Sequence, residues 1–239
     1  MEKLLNWLLA LPDVPAWGVF LAENVLLTCI ILYAGHVVLR GAGIGYVYTR
    51  REWVIGAVTN VLNTVVTYAG FWLWKHGLIV IRVEWSWRIA TDFLVLFFAM
   101  DLLMYLFHFL IHKTALYGLI HGLHHEAMDP KPIDLFILHP VETLSFGGMW
   151  LVLLVLMPFN AYAIAVYLTV NVVFGLVGHL GIEPLPARWK DTWIIRHLGS
   201  STFHHDHHRD LDHNFGFYTT VWDRIFGTLK GRSMRSNNR

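Results

Sequence analysis

The chain has 239 residues, of which 56% are hydrophobic and only 15% charged, with a formal net charge of +1. Soluble domains carry roughly a quarter charged residues, so this composition fits an integral membrane protein. It offers no basic surface for nucleic acid, and the single cysteine, Cys29, excludes an intramolecular disulfide and argues against thiolate metal ligation.

In chain order, the N-terminus has only Lys3 ahead of a short apolar stretch ending at Pro12, without a small-residue cleavage pattern, so no removable signal peptide is expected. A bilayer core of ~30 Å needs about 20 apolar residues in helical form. Segments 16–39, 53–75 and 89–111 meet that requirement. The stretch 143–180 is apolar throughout but is interrupted by Pro158-Phe159-Asn160, which favours a helical hairpin entering and leaving by one side; two separate crossings give the same connectivity. From residue 181 the chain turns polar and is expected to form a soluble cap. Trp72, Trp74, Trp85 and Trp87 fall where an interfacial belt would hold them.

The expected fold is therefore all-α: four to five hydrophobic helices, including the proline-interrupted hairpin, with a helical cap on the cytoplasmic side. Orientation follows from basic residues. Arg40, Arg50 and Arg51 follow the first span, and Arg188, Lys190, Arg196, Arg209, Arg224, Lys230, Arg232, Arg235 and Arg239 follow the hairpin. Placing both sets in the cytoplasm leaves Lys75, Arg82 and Arg88 on the far side. The tail Ser-Asn-Asn-Arg239 carries no retention signal, which favours a bacterial inner membrane over the endoplasmic reticulum.

Fifteen histidines populate the chain, and most lie in three clusters: His108-x3-His112, His121-x2-His124-His125 and His204-x2-His207-His208. Residues three and four apart on a helix share a face, so each cluster is expected to aim two or three imidazoles at one point. Eight such donors exceed what one metal ion accepts, which points to a polynuclear site. Asp101, Tyr105, His108 and His112 recur at helical spacing along one stripe. An ionisable residue within a membrane span is a functional candidate, and Asp101 could orient a ligand histidine. His179, delivered by the hairpin to the same membrane face, joins the candidate ligands. His139, Glu142 and Glu183 are candidates for supporting the ligands. His205 is expected to point away, His213 is a weak further candidate, and His36, His76 and His197 have no partners in sequence.

These motifs resemble those of the fatty acid hydroxylase/sterol desaturase superfamily of membrane non-haem di-iron enzymes. The three histidine boxes of that family match His108/His112, His121/His124/His125 and His204/His207/His208. Asp101-x3-Tyr105-x2-His108 resembles the lead-in to its first box, and His139-Pro-x-Glu142 its sequence before the membrane hairpin. Asn214-Phe-Gly216 and Trp222-Asp223-Arg224-x-Phe226-Gly227-Thr228 resemble its closing signature, which adds Asn214 and Asp223 to the supporting candidates. Phe109 stands where an arginine commonly follows the first box, and Phe215 where a tyrosine is frequent; neither is a ligand position. The resemblance covers about residues 90–230, leaving residues 1–88 as an N-terminal region of two spans, 89–230 as an oxygenase domain and 231–239 as a polar tail.

The resemblance implies two iron ions, with zinc possible in purified protein, and O2-dependent oxidation of a membrane lipid such as a fatty acyl chain or sterol. Hydroxylation is the expected reaction, with desaturation at the same site as the alternative. Electrons would come from outside, from a ferredoxin or a cytochrome b5-like protein with its reductase, since the chain has no haem, flavin or iron–sulfur motif. Imidazole also suits zinc and copper, so a non-catalytic membrane metal- or haem-binding protein is the rival from another class. The sequence leaves the oligomeric state open.

Overall fold

The computed structural model describes residues 1–189 and 192–230. The polar tail 231–239, with Arg232, Arg235 and Arg239, and the basic Lys190 lie outside the described residues. A short helix α1 (Glu2–Leu9) precedes α2 (Asp13–Gly41), α3 (Arg50–Lys75), α4 (Arg88–His112), α5 (Pro140–Leu156) and α6 (Ala161–Gly178). Four of these, α2, α3, α4 and α6, are long and apolar enough to cross a membrane, and α5 is a shorter apolar helix of 17 residues. Two short helices, α7 (Ser201–Arg209) and α8 (Val221–Phe226), lie in the polar C-terminal region. The chain is thus the expected all-α integral membrane protein, since helices satisfy their backbone polar groups within the segment and lipid offers no other partner.

Local chemistry sets the helix starts. At α3 the Thr49 hydroxyl accepts from the Glu52 N–H, and the Glu52 carboxylate accepts from the Thr49 N–H at 2.6 Å, a reciprocal capping box. Helix α5 begins with Pro140 at its first position, where the missing N–H costs nothing. The next proline, Pro158, lies just past the end of α5, and Asn160 then opens α6 by accepting from the Tyr162 N–H at 2.9 Å.

The hairpin of α5 and α6 reaches the far end of the bundle. Its turn carries β2 (Phe159–Asn160), which pairs in parallel with β1 (Ile81–Arg82) in the connection between α3 and α4. The Asp92 carboxylate joins the two, accepting from Arg82 Nη2 at 2.9 Å and from the Asn160 N–H at 2.8 Å. At the opposite end Arg51 pairs with Glu126, and Lys131 bonds Glu52 at 2.5 Å. The start of α3, with Arg50 and Arg51, therefore sits beside the segment that follows α4. Lys75, bonded to Asp13 at 3.1 Å, marks the other end. The five apolar helices alternate in direction, so α4 and α6 deliver their C-termini to one end.

Helix α2 packs on α3, α3 on α5, and α4 on α6. One core joins α4, α5 and α6 to Tyr218 of the C-terminal region, around Leu96, Met100, Leu153, Leu154, Phe159 and Tyr167. A second joins Ile31 and Leu32 of α2 to Ile133, Phe136 and Ile137, in and after the 3-10 turn Pro132–Phe136. There α2 comes close enough that a Cβ on Gly35 would fall 2.4 Å from the Pro132 ring. The N-terminal helices thus buttress the turn that follows the second histidine cluster.

Candidate metal centre

Four pieces of backbone bring the histidines together. The last turns of α4 carry His108 and His112 on one face. A π-helical turn, Tyr117–His121, and a tighter 3-10 turn, His124–Glu126, carry the second cluster; π turns are frequent at functional sites. Glycine-ended α6 places His179 at its C-cap. Helix α7 carries the third cluster and is started by Ser200, whose hydroxyl accepts from the Phe203 N–H at 3.1 Å.

The nine rings form two groups. His108, His112, His121, His125 and His207 make one, and His124, His179, His204 and His208 the other; within each, one nitrogen per ring lies within 4.8 Å of all the rest. The second and third clusters of the sequence are therefore each divided between the groups. Residues four apart stay together (His121 with His125, His204 with His208), while His124 and His207 turn to the other group. Adjacent residues on a helix differ by about 100° in direction, so a neighbouring pair of histidines addresses two centres rather than one.

The other ring nitrogens decide what the converging ones are. His108 Nδ1 lies 2.9 Å from the Phe215 carbonyl, His207 Nδ1 2.7 Å from the His213 carbonyl and His179 Nδ1 2.8 Å from the Gly175 carbonyl. His124 Nδ1 lies 3.3 Å from the Ile137 carbonyl, and His121 Nδ1 2.7 Å from the buried carboxylate of Glu142. Each acceptor requires an Nδ1–H, so in a neutral ring Nε2 is a bare lone pair. Those lone pairs face one another: His108 and His121 Nε2 are 3.0 Å apart, and His124 and His179 Nε2 3.4 Å apart. His204 Nε2 lies 3.2 Å from His179 Nε2 and 3.1 Å from His208 Nε2, and His125 Nε2 lies 3.1 Å from His121 Nε2. Buried Nε2 atoms of His112 and His207 have no partner at all.

Lone pairs in that arrangement repel unless a cation lies between them. A metal–imidazole bond of about 2.1 Å sets neighbouring donors roughly 3.0–3.4 Å apart on the edges of an octahedron or tetrahedron, the spacing found here. The donor set fits two metal ions. Burial also keeps the rings neutral, as ligands must be. It lowers His124 to about 4 and His179 to about 3. His121, His125, His204, His207 and His208 are likewise pushed well below the usual histidine range, through burial first and neighbouring imidazoles second.

Of the supporting candidates, Glu142 is the one whose side chain touches a histidine of the centre. Asp101 accepts instead from the Tyr218 N–H (3.0 Å), the Thr219 N–H (3.1 Å), the Thr219 hydroxyl (2.6 Å) and Trp222 Nε1 (3.0 Å). Asp223 accepts from the N–H groups of Phe215 and Gly216, both at 2.8 Å, and from the Thr228 hydroxyl at 2.7 Å. Tyr105 donates to that same Thr228 hydroxyl at 3.0 Å. Asn214 donates to the Phe203 carbonyl at 3.1 Å and holds the left-handed conformation that asparagine tolerates. These four residues fold the 214–228 segment, and that segment presents the Phe215 carbonyl to His108.

His139 caps α5, accepting from the Val141 N–H at 3.3 Å. Glu183 accepts from the Thr202 hydroxyl at 3.3 Å, and His205 pairs with Asp129 at 3.1 Å. The His213 side chain faces Asp210 at 3.2 Å, and it is its carbonyl that reaches the centre, through His207. The carbonyls of Phe215, His213, Gly175 and Ile137 have no signature in sequence, because any residue supplies a carbonyl.

Comparison with known proteins bears on the same region. A family model described as fatty acid hydroxylase matches residues 93–228, a stretch that contains all nine histidines. Methylsterol monooxygenase 1 of Rattus norvegicus is 32% identical over 126 residues, 52% of this chain and 41% of its own length. Lathosterol oxidase of Rattus norvegicus is 31% identical over 147 residues, 61% of this chain and 47% of its own. Methylsterol monooxygenase 2-2 of Arabidopsis thaliana is 29% identical over 150 residues, 61% of this chain and 55% of its own. The chain spans about half the length of the curated relatives it matches. No solved structure matches it.

Proposed function

We propose that this chain, which belongs to the fatty acid hydroxylase family, is an oxidoreductase that uses O2 to oxidise a C–H bond of a membrane lipid at a di-iron centre. The observation that carries the reading is the convergence of bare Nε2 atoms in two groups of buried histidines. Relatives named as methylsterol monooxygenases and lathosterol oxidases favour a sterol-class substrate over other membrane lipids.

In this proposal His108, His112, His121, His125 and His207 hold one iron, and His124, His179, His204 and His208 the other. Iron bound there would supply the redox chemistry that allows O2 to attack an unactivated C–H bond. The protein's own part is positional. Glu142 and the four carbonyls fix the tautomer and tilt of five rings, as partners of metal-bound imidazoles do. Burial excludes bulk water from around the rings. Hydroxylation converts R–H, O2, two electrons and two protons into R–OH and water. Desaturation takes a second hydrogen from the neighbouring carbon and releases two waters on the same electron and proton supply. Both need an external donor, for which a ferredoxin or a cytochrome b5-like protein with its reductase is suited. Cytoplasmic placement of the histidine end, inferred from the basic residues, gives such a donor access. The oxygenase unit is residues 89–230, supported by the spans of residues 1–88.

The test is turnover of iron-loaded protein in lipid nanodiscs with a chemical reductant and heavy-isotope O2. A heavier hydroxylated lipid, absent with His207→Ala, is the expected result. Iron-loaded protein that consumes reductant and O2 without altering any supplied sterol or acyl lipid would overturn the proposal.

A further inference from the structure

Seven of the nine histidine rings are buried, and the two that are only half-buried, His108 and His112, both belong to the five-histidine group. The centre therefore lies nearest to the outside along that edge. The ring of Tyr117 packs against it, its centroid 5.0 Å from that of His112, 5.7 Å from that of His125 and 6.2 Å from that of His121. Three of the five rings in that group thus share one phenol as a neighbour. Tyr117 opens the π-helical turn, and its carbonyl accepts from the Gly122 N–H at 2.7 Å. The turn that aims His121 at the centre therefore also fixes Tyr117 beside it.

Among the described residues one other aromatic side chain packs on these rings. Phe215 lies 5.8 Å from His108, 5.3 Å from His112 and 5.5 Å from His207, centroid to centroid. A phenyl ring resists loss of an electron, whereas a phenol gives one up when its proton can leave at the same time. The Tyr117 ring is half-buried, and among the described residues nothing bonds its hydroxyl, so the proton has a route to water. Tyr105 differs on both counts: it is buried, and its hydroxyl bonds that of Thr228 at 3.0 Å. Tyr167 and Tyr218 are also buried, their hydroxyls 2.8 Å apart.

We propose that Tyr117 is a redox-active side chain that relays electrons into the five-histidine group. Iron there, once oxidised by O2, takes one electron from the phenol and is reduced by one, while the hydroxyl proton leaves to water. The resulting phenoxyl radical is returned to the phenol by one electron from the external donor and one proton from water. A donor protein cannot touch rings that are buried, and electron transfer falls steeply with distance, so an oxidisable ring spanning the gap shortens each step. The inference rests on the iron and O2 chemistry proposed above and adds the route by which outside electrons reach it.

The test is electron paramagnetic resonance of the full-length protein in detergent, loaded with ferrous iron and frozen after mixing with O2 before any lipid is supplied. A tyrosyl signal should appear, and its splitting should narrow in protein grown on ring-deuterated tyrosine. It should vanish in Tyr117→Phe at unchanged iron content, and a soluble reductant should quench it in the unmutated protein. If Tyr117→Phe loses iron, a nitroso spin trap added to the unmutated protein, followed by peptide mapping, should mark Tyr117. Iron that consumes O2 and oxidises a supplied lipid without a tyrosyl signal would overturn the relay alone. So would a signal that persists in Tyr117→Phe, or a trap adduct on Tyr105 in place of Tyr117. A Tyr117 radical in protein that oxidises no lipid would support the relay and contradict the proposed function. Bound iron that does not react with O2 would overturn both.

Discussion

Two buried polar clusters lie side by side at one end of the bundle, and they are built on opposite principles. Around Asp101 and Asp223, seven donors from the 215–228 segment converge on two carboxylates, and every carboxylate oxygen is paired. Around the nine histidines acceptors converge on acceptors, and buried nitrogens of His112 and His207 lack partners. Buried polar groups are almost always satisfied. A cluster that satisfies itself is structural, and one that leaves its lone pairs facing inward is prepared for something from outside. The first cluster also serves the second, because the segment it folds carries the Phe215 carbonyl that holds His108.

That contrast predicts which substitutions unfold the protein and which empty it. The largest effect on stability is expected from Asp101→Ala, which strands four neutral donors in an apolar interior at about 1–3 kcal/mol for each that stays unsatisfied. Thermal unfolding in detergent would read it, and Asp101→Asn should recover part of the loss. His207→Ala should do the reverse: metal content falls below two ions per chain, while the metal-free chain loses only ~1 kcal/mol. Equal stability losses in Asp101→Ala and His207→Ala, both metal-free, would erase the distinction.

Glu142→Gln sharpens the comparison at the contact where a carboxylate does face the centre. It keeps an acceptor for His121 Nδ1 but removes the charge, so metal affinity measured by chelator competition should fall about 10–100-fold. Asp134 supplies a pH test away from the histidines. Burial raises its carboxyl to about 6, against about 4 in an unfolded chain. Between those values the folded state holds a proton that the unfolded state has released, so stability declines as pH rises from about 4 to about 6. Asp134→Asn should flatten that part of the stability profile. The smallest effect belongs to Arg51→Ala: its partner Glu126 is exposed, as is Arg51 itself, and such pairs are worth under about 1 kcal/mol.

Much of this was legible in the sequence, and what was not has a physical reason. The spans show in apolar runs, and the hairpin in Pro158-Phe159-Asn160. Eight of the nine histidines of the two groups stand out by spacing, and His179 by its place at the end of the hairpin. Their division between two centres does not, because it depends on the π and 3-10 turns that aim His121 and His125 one way and His124 the other. The acceptors that hold the rings are equally hidden, since four of the five are main-chain carbonyls. Asp101 was visible as an ionisable residue in a span, yet its partners lie more than a hundred residues away in sequence and only the fold brings them to it.

The most direct test of the central claim is metal content per chain, measured on protein purified from membranes without oxygen, for the wild type, His207→Ala and His124→Ala. Two groups of donors predict about two metal ions in the wild type and fewer in each variant, the steeper fall in His124→Ala, which leaves its group three histidines. A single ion in the wild type, or variants that retain both, would contradict a centre built from these nine histidines.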